Sequence, residues 1–211
     1  MSVDGWLGPG GLFARGMPDY APREAQLAMA HAVEKALRDD GTLLVEAGTG
    51  TGKTLAYLVP AILSGKKIVI STGTKTLQDQ IVQRDLPLIE LQLGEAVSAV
   101  CMKGLSNYLC LRRYEEFRVS AEAAFGPLAR QLPMLERWRE TTASGDRAEL
   151  AGLAQDAALW NEVQSSSETR VGAKCAHFAP CFVTKMRKQA EAARIVIVNH
   201  HLYFADLALR G

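Results

Sequence analysis

The stretch Glu46-Ala47-Gly48-Thr49-Gly50-Thr51-Gly52-Lys53-Thr54 decides the reading of this chain. The apolar run Thr42-Leu43-Leu44-Val45-Glu46-Ala47 before it reads as a short buried strand. A helix is expected after it, from about Thr54 to Leu63, broken by Ser64-Gly65. A glycine-rich turn between strand and helix is the setting in which a loop wraps a polyphosphate. Gly48, Gly50 and Gly52 let the backbone curl so that successive N–H groups point inward. Those donors, with the positive end of the following helix, attract an anion. Lys53 is placed to reach the β and γ phosphates as a point charge, and Thr54 to put its hydroxyl on Mg²⁺. The strict pattern has Gly where this chain has Ala47, a mild departure because the nest depends on the later glycines. The plain alternative is a glycine-rich turn with a chance lysine, and the flanking elements weigh against it. Residues 47–54 are therefore the candidate site, and ATP the expected ligand.

Outward from this loop the chain alternates. The first 20 residues, rich in Gly and Pro, read as an irregular arm. Ala25, Leu27, Ala28, Ala32, Val33 and Leu37 give a helical period after Pro22, ended by Asp39-Asp40-Gly41. Lys67 to Ser71 reads as a second strand, Thr74 to about Arg84 as a helix, Ala96 to Met102 as a third strand and Arg194 to Asn199 as a fourth. Short apolar runs alternating with helices predict an α/β fold with a parallel sheet. Residues 103–193 break that rhythm and read as a mainly helical insertion bearing three of the four cysteines. The expected division is 1–102, 103–193 and a return strand in 194–211.

The 24 Lys and Arg against 23 Asp and Glu exclude a uniformly basic nucleic-acid coat and an acidic disordered tail. A local basic groove remains compatible with them. No apolar run approaches the roughly 18 residues of a membrane span, and no signal peptide is evident, so a cytoplasmic protein with no membrane partner is expected. In that compartment Cys101, Cys110, Cys175 and Cys181 are free, structural or metal-bound rather than disulfide-linked.

After the second strand comes Ser71-Thr72-Gly73-Thr74-Lys75-Thr76-Leu77-Gln78-Asp79-Gln80. Hydroxyls and N–H groups at a strand end sit at the rim where open α/β sheets bind ligands. They suit nucleic-acid phosphates, contacted without reading sequence. Equally, Thr72 or Thr74 caps the next helix. The pair EAGTGTGKT and STGTKTLQDQ resembles motifs I and Ia of superfamily 2 helicases. More narrowly, it resembles the DinG/XPD group of iron–sulfur DNA helicases and, within it, the bacterial YoaA type. Tyr20–Gln26 (YAPREAQ), Lys103–Cys110 (KGLSNYLC) and Cys181–Arg210 carry the resemblance further. It is weakest over about 117–165.

The resemblance implies a RecA-like motor domain interrupted by an iron–sulfur domain. It implies an ATP-driven motor moving 5′ to 3′ on single-stranded DNA and opening forked duplexes, in repair or replication and with proteins of those pathways as partners. It makes Gln26 a candidate adenine-side contact, although a glutamine at a helix start is ordinarily a solvated polar residue. Thr72, Gly73, Thr74, Asn199 and His200 become candidate DNA contacts. A His200-His201 metal site is not favoured, because no carboxylate stands at ligand spacing.

The resemblance also implies a [4Fe–4S] cluster on four cysteines. Cys110, Cys175 and Cys181 match three of them, and Arg170 stands where the pattern has the fourth. A protonated guanidinium has no lone pair for iron. Cys101, at the end of an expected strand, reads as a small core residue, and His177 is a substitute only by proximity. Three outcomes stay open: a damaged or three-iron cluster, no cluster, or another metal such as Zn²⁺ on three cysteines and a histidine.

Lys185, Arg187, Lys188 and Arg194 follow Cys181 and read either as a solvated face or as a surface tracking DNA phosphates. Tyr108, Phe178 and Phe182 either wedge the DNA fork or pack inside. No Asp-Glu pair occurs in the 211 residues, so a D-E-x-H segment is missing, as is an arginine finger from a second motor domain. The expectation is the front part of a longer helicase, binding ATP but not unwinding DNA by itself. Two other classes compete: a catalytically idle ATP- and DNA-binding module, and a small-molecule kinase, against which the long insertion argues.

Overall fold

The computed structural model describes residues 1–210 except 151, 155 and 156. The chain divides into two compact units: Met1–Cys101 with Ala193–Gly211, and Met102–Ala192.

The first unit opens with two one-turn helices, α1 (Val3–Leu7) and α2 (Leu12–Gly16). The expected irregular arm is therefore wrong. Ser2 caps α1 by accepting from the Gly5 N–H, and Val3, Trp6, Leu7 and Phe13 are wholly or almost wholly buried. Their spacing puts Val3, Trp6 and Leu7 on one helical face; the glycines only stop each turn. Next come α3 (Glu24–Arg38) and α4 (Lys53–Ser64), which pack on each other. The chain leaves α3 through Asp40 at φ +48, with the Gly41 N–H returning to the Ala36 carbonyl. Gly65 at φ +68 ends α4 in the left-handed conformation that favours glycine.

Strand β1 (Ile68–Thr72) leads to α5 (Lys75–Gln80), a π-turn over Ile81–Asp85, and α6 (Leu86–Leu93). The helix expected to stop near Arg84 thus continues to Leu93. The π-turn buries Asp85, whose Oδ2 accepts from Gln80 Nε2 at 3.3 Å. Strand β2 (Ala99–Cys101) is shorter than expected, while β3 (Ile195–Asn199) forms where the sequence placed it. All pairings are parallel, in the order β1-β3-β2, with Ile68 opposite Ile195, Thr72 opposite Asn199 and Cys101 opposite Ile197. The unit's core joins α1, α2, α4 and α6 to Ile195 and Ile197. The last helix is α12 (His200–Arg210).

One expected strand does not form. Residues 42–47 join no ladder among the described residues, and Leu44 is 98% exposed. An apolar run becomes a buried strand only with a paired neighbour beside it. Here the edge of β1 that faces away from β3 does not take 42–47 as a partner.

The second unit holds α7 (Leu111–Arg118), α8 (Ala121–Phe125), α9 (Leu132–Thr141), α10 (Ala158–Val163) and α11 (Phe182–Ala192). Trp138 and Trp160 meet edge to face at 6.1 Å, among buried Leu109, Leu135, Leu159 and Val163. The Trp160 indole N–H donates to the Ser106 carbonyl at 2.8 Å. Lys103 Nζ and Asp146 Oδ2 form a 2.7 Å ion pair with Lys103 buried. Among the described residues no helix is long and apolar enough to cross a membrane.

Two predictions follow from this packing. Ile197→Ala opens a cavity in the central strand and is expected to cost about 2–5 kcal/mol, measured by urea denaturation. Burial raises the Asp85 carboxyl above its ordinary value, against the opposing Gln80 hydrogen bond and Arg84 charge. A raised acid destabilises the fold as pH climbs past its unfolded value near 3.8. Asp85→Asn should therefore raise the melting temperature at pH 7 and much less at pH 4; a loss of stability at pH 7 would count against this account.

Candidate functional site

The phosphate loop is fixed from its carbonyl side. Lys53 Nζ donates to the Ala47 and Gly48 carbonyls at 2.8 and 2.7 Å. Thr51 Oγ1 donates to the Gly48 carbonyl at 3.0 Å. Arg23 donates to the Gly50 carbonyl, and Gln26 Nε2 to that of Gly52 at 3.0 Å. In a trans peptide the next residue's N–H points opposite the carbonyl. The N–H groups of Gly48, Thr49, Thr51 and Lys53 are therefore turned away from these donors, as an anion nest requires. Gly50 and Gly52 make the reversal with φ of +80 and +81. Gly52 opens α4, and a methyl group there would collide with the Gln26 amide.

Gln26 is not the solvated residue that its place at a helix start suggested. It is 3% exposed, and its Oε1 accepts from the Tyr20 hydroxyl at 3.0 Å. That hydroxyl also lies 3.0 Å from the Leu7 carbonyl, so the arm, α3 and the loop share one network. Burial raises the Tyr20 phenol, with Arg23 opposing. Arg23 and Tyr20 lie in the YAPREAQ segment with Gln26 and carry no motif signal of their own. Only their distance from Gln26 along a helix start could have drawn notice. Burial raises the Tyr57 phenol, with the Thr54 side chain opposing.

The rim candidates meet at the C-terminal ends of β1 and β3. Ser71 Oγ and His200 Nδ1 are 2.7 Å apart, and the His200 ring flanks Gly73. Thr72 is buried and donates to the Thr74 carbonyl at 3.1 Å. Thr74 Oγ1 accepts from the Leu77 N–H at 3.2 Å, so the capping role is real for Thr74. Asn199 Oδ1 likewise accepts from the Leu202 N–H at 2.7 Å and caps α12. Gly73 and His200 remain exposed at this edge.

In the second unit Cys110, Cys175 and Cys181 line one small cavity of about 30 Å³ with Arg170, Thr169 and Phe178. Cys101 lies in the other unit on β2, and His177 does not line the cavity. Burial raises the Cys181 thiol, but the Thr184 and Val183 backbone N–H groups and the Arg170 charge hold it below its ordinary value. Arg170 Nη1 is buried without a hydrogen-bond partner. All four cysteines are free thiols, and no group of three or more His, Cys, Asp or Glu among the described residues is arranged to hold a metal ion. A four-thiolate cluster does not fit this donor set of three thiols and a guanidinium. Tyr108 and Phe182 are buried in the unit's core, so neither is an exposed wedge. Lys185, Arg187 and Lys188 are exposed on α11.

Residues 26–119 match the family model "DEAD/DEAH box helicase". The chain is 42% identical over 202 residues to "ATP-dependent DNA helicase YoaA" of Haemophilus influenzae, covering 95% of this chain and 31% of that protein. It is 41% identical to the protein of the same name in Escherichia coli, covering 96% of this chain and 32% of that one. It is 37% identical to "ATP-dependent helicase DinG" of Mycobacterium tuberculosis strain H37Rv, covering 87% of this chain and 31% of that protein. The chain thus spans about a third of the length of the curated relatives it matches. Along nearly its whole length the chain is thus similar to the front third of YoaA- and DinG-type helicases.

Proposed function

We propose that the chain forms the nucleotide-gripping part of an ATP-dependent 5′–3′ DNA helicase acting on single-stranded and forked DNA in repair or replication, in the cytoplasm. In this reading residues 1–102 and 194–211 belong to the motor and 103–193 to an insert of iron–sulfur type whose ligand set is incomplete. The observation that carries it is the phosphate loop held open from behind by Lys53, Arg23, Thr51 and Gln26.

Each residue then has a defined task. The loop N–H groups and the start of α4 receive the triphosphate. Lys53 exchanges its two carbonyl partners for β and γ phosphate oxygens, a stronger pairing because both sides are charged. Thr54 supplies a hydroxyl for Mg²⁺. Gln26, buried between Tyr20 and Gly52, keeps the loop at a fixed distance from α3 and stands on the adenine side. Gly73 and His200 offer the sheet rim to DNA phosphates, with Thr72, Thr74 and Asn199 shaping that edge through their backbone and caps. Lys185, Arg187 and Lys188 add a backbone-tracking face.

The idle-module reading has one observation in its favour: Lys53 is already satisfied by its own loop. Turnover separates the two readings, since an idle module shows no DNA-stimulated ATP hydrolysis within the full-length protein.

Titration with a fluorescent ATP analogue and Mg²⁺ tests the nucleotide site. Lys53→Ala should weaken binding at least about tenfold, roughly 1.4 kcal/mol. Gln26→Ala should weaken it and also lower stability by about 0.5–1.5 kcal/mol, because the Gly52 carbonyl keeps only the Ala56 N–H. Equal affinity of wild type and Lys53→Ala would refute the assignment. On single-stranded DNA, replacing Lys185, Arg187 and Lys188 by Ala should flatten the log–log salt dependence by up to about 2, near 0.7 per lost phosphate contact. An unchanged slope would remove α11 from the DNA surface.

A further inference from the structure

We propose that Arg170 stands where a fourth thiolate would face the cysteine cavity, so that the fourth iron of a cubane would have no protein ligand, and that this unit folds without a cluster. The inference borrows from the proposed function only the identity of the group concerned. Its readouts involve neither ATP nor DNA, so the two can fail separately.

Three observations converge. Cys110, Cys175 and Cys181 arrive at one cavity from three separate places in the chain: the residue before α7, the turn after a short 3₁₀ segment, and the residue before α11. Arg170 lines the same cavity with a buried Nη1 that has no hydrogen-bond partner. A buried guanidinium N–H left without an acceptor is costly. The thiol-lined wall is what faces it. Arg112, also on the wall, is committed elsewhere, to Glu116 at 2.5 Å and to the Thr169 carbonyl at 2.8 Å. Arg170 therefore provides the cavity's unsatisfied donors, and a donor cannot serve as an iron ligand. A cubane usually draws one thiolate for each of its four irons. With three thiolates, the fourth iron has no protein ligand and meets a fixed positive charge.

The fold around the cavity has its own source of stability. Leu109, Leu135, Leu159, Trp160 and Val163 are at most 1% exposed and form a continuous apolar cluster with Trp138 and Phe182. The cavity walls are tied to it by backbone bonds, Cys110 N–H to the Val163 carbonyl at 2.8 Å and Ser165 N–H to the Tyr108 carbonyl at 2.8 Å. Each such large side chain contributes about 1.5–3 kcal/mol on burial, so the unit does not depend on a metal to hold it together.

The test uses the whole chain, purified without oxygen and reconstituted with ferrous iron, sulfide and a reductant that carries no thiol. Iron, acid-labile sulfide, visible absorption and electron paramagnetic resonance are recorded for wild type, Arg170→Cys and Arg170→Ala. Arg170→Cys should reach about four irons and four sulfides per chain, and wild type and Arg170→Ala no more than about three. Wild type carrying four irons overturns the proposal. So does Arg170→Cys gaining no iron over wild type, or Arg170→Ala reaching four, since the missing thiolate would then not be the limit. The wild-type and Arg170→Ala measurements decide the matter even if Arg170→Cys misfolds. For the second part, an iron chelator should leave the wild-type circular dichroism and melting temperature unchanged; unfolding on chelation overturns it.

Discussion

The sheet of the first unit depends on its last strand. β3 lies between β1 and β2, so neither of the earlier strands has a neighbour until residues 195–199 arrive. That strand follows β2 by 93 intervening residues. Closing a flexible loop of that length costs about 4 kcal/mol from the length-dependent part of the entropy alone. The residues that close it are Ile195, Val196, Ile197 and Val198, all buried. At about 1.5–3 kcal/mol each, their burial exceeds the closure cost, which explains why a long excursion is tolerated in mid-sheet. The same closure sets Thr72 beside Asn199 and Ser71 beside His200, so the rim exists only once the excursion has returned.

Much of this was legible in the sequence. The KIVIS and RIVIVN runs are short, β-branched and bounded by polar residues, and both became strands within one residue of expectation. Lys53–Ser64 became a helix because a glycine that accepts positive φ stands at each end. The failures have physical causes. Leu43, Leu44 and Val45 carry the same apolar signal as the true strands, but periodicity reports a preference for burial and not the presence of a neighbour to pair with. The first 20 residues misled in the opposite sense: their glycines drew attention from Val3, Trp6, Leu7 and Phe13, which carry the packing. The π-turn at Ile81–Asp85 shifts the helical phase by one residue, so a pattern read with a period of 3.6 loses its register near Arg84.

At the candidate site the loop itself was legible, and its support was not. Glycine spacing gives the loop's backbone reversal directly, since only glycine takes φ near +80 without strain. That the nest is braced by Gln26, Tyr20 and Arg23 requires the fold, because 26 residues separate Gln26 from Gly52. The brace also explains a detail that the motif leaves open. Ala47 replaces a glycine without harm because its carbonyl is used and its φ is not among the positive ones. Gly52 could not be replaced in the same way, since its φ is positive and the Gln26 amide fills the space a side chain would take.

The second unit has an apolar core that includes none of its cysteines. In a small domain held together by its metal, binding free energy is folding free energy, about 10–16 kcal/mol for structural zinc. Removing one ligand from such a domain removes the fold. Here the Trp138–Trp160 pair and its aliphatic neighbours already form a core of ordinary composition. The cysteines sit at the margin of that core, partly exposed, on segments anchored by backbone hydrogen bonds. A substitution at position 170 therefore acts on the chemistry of the cavity and leaves the scaffold in place.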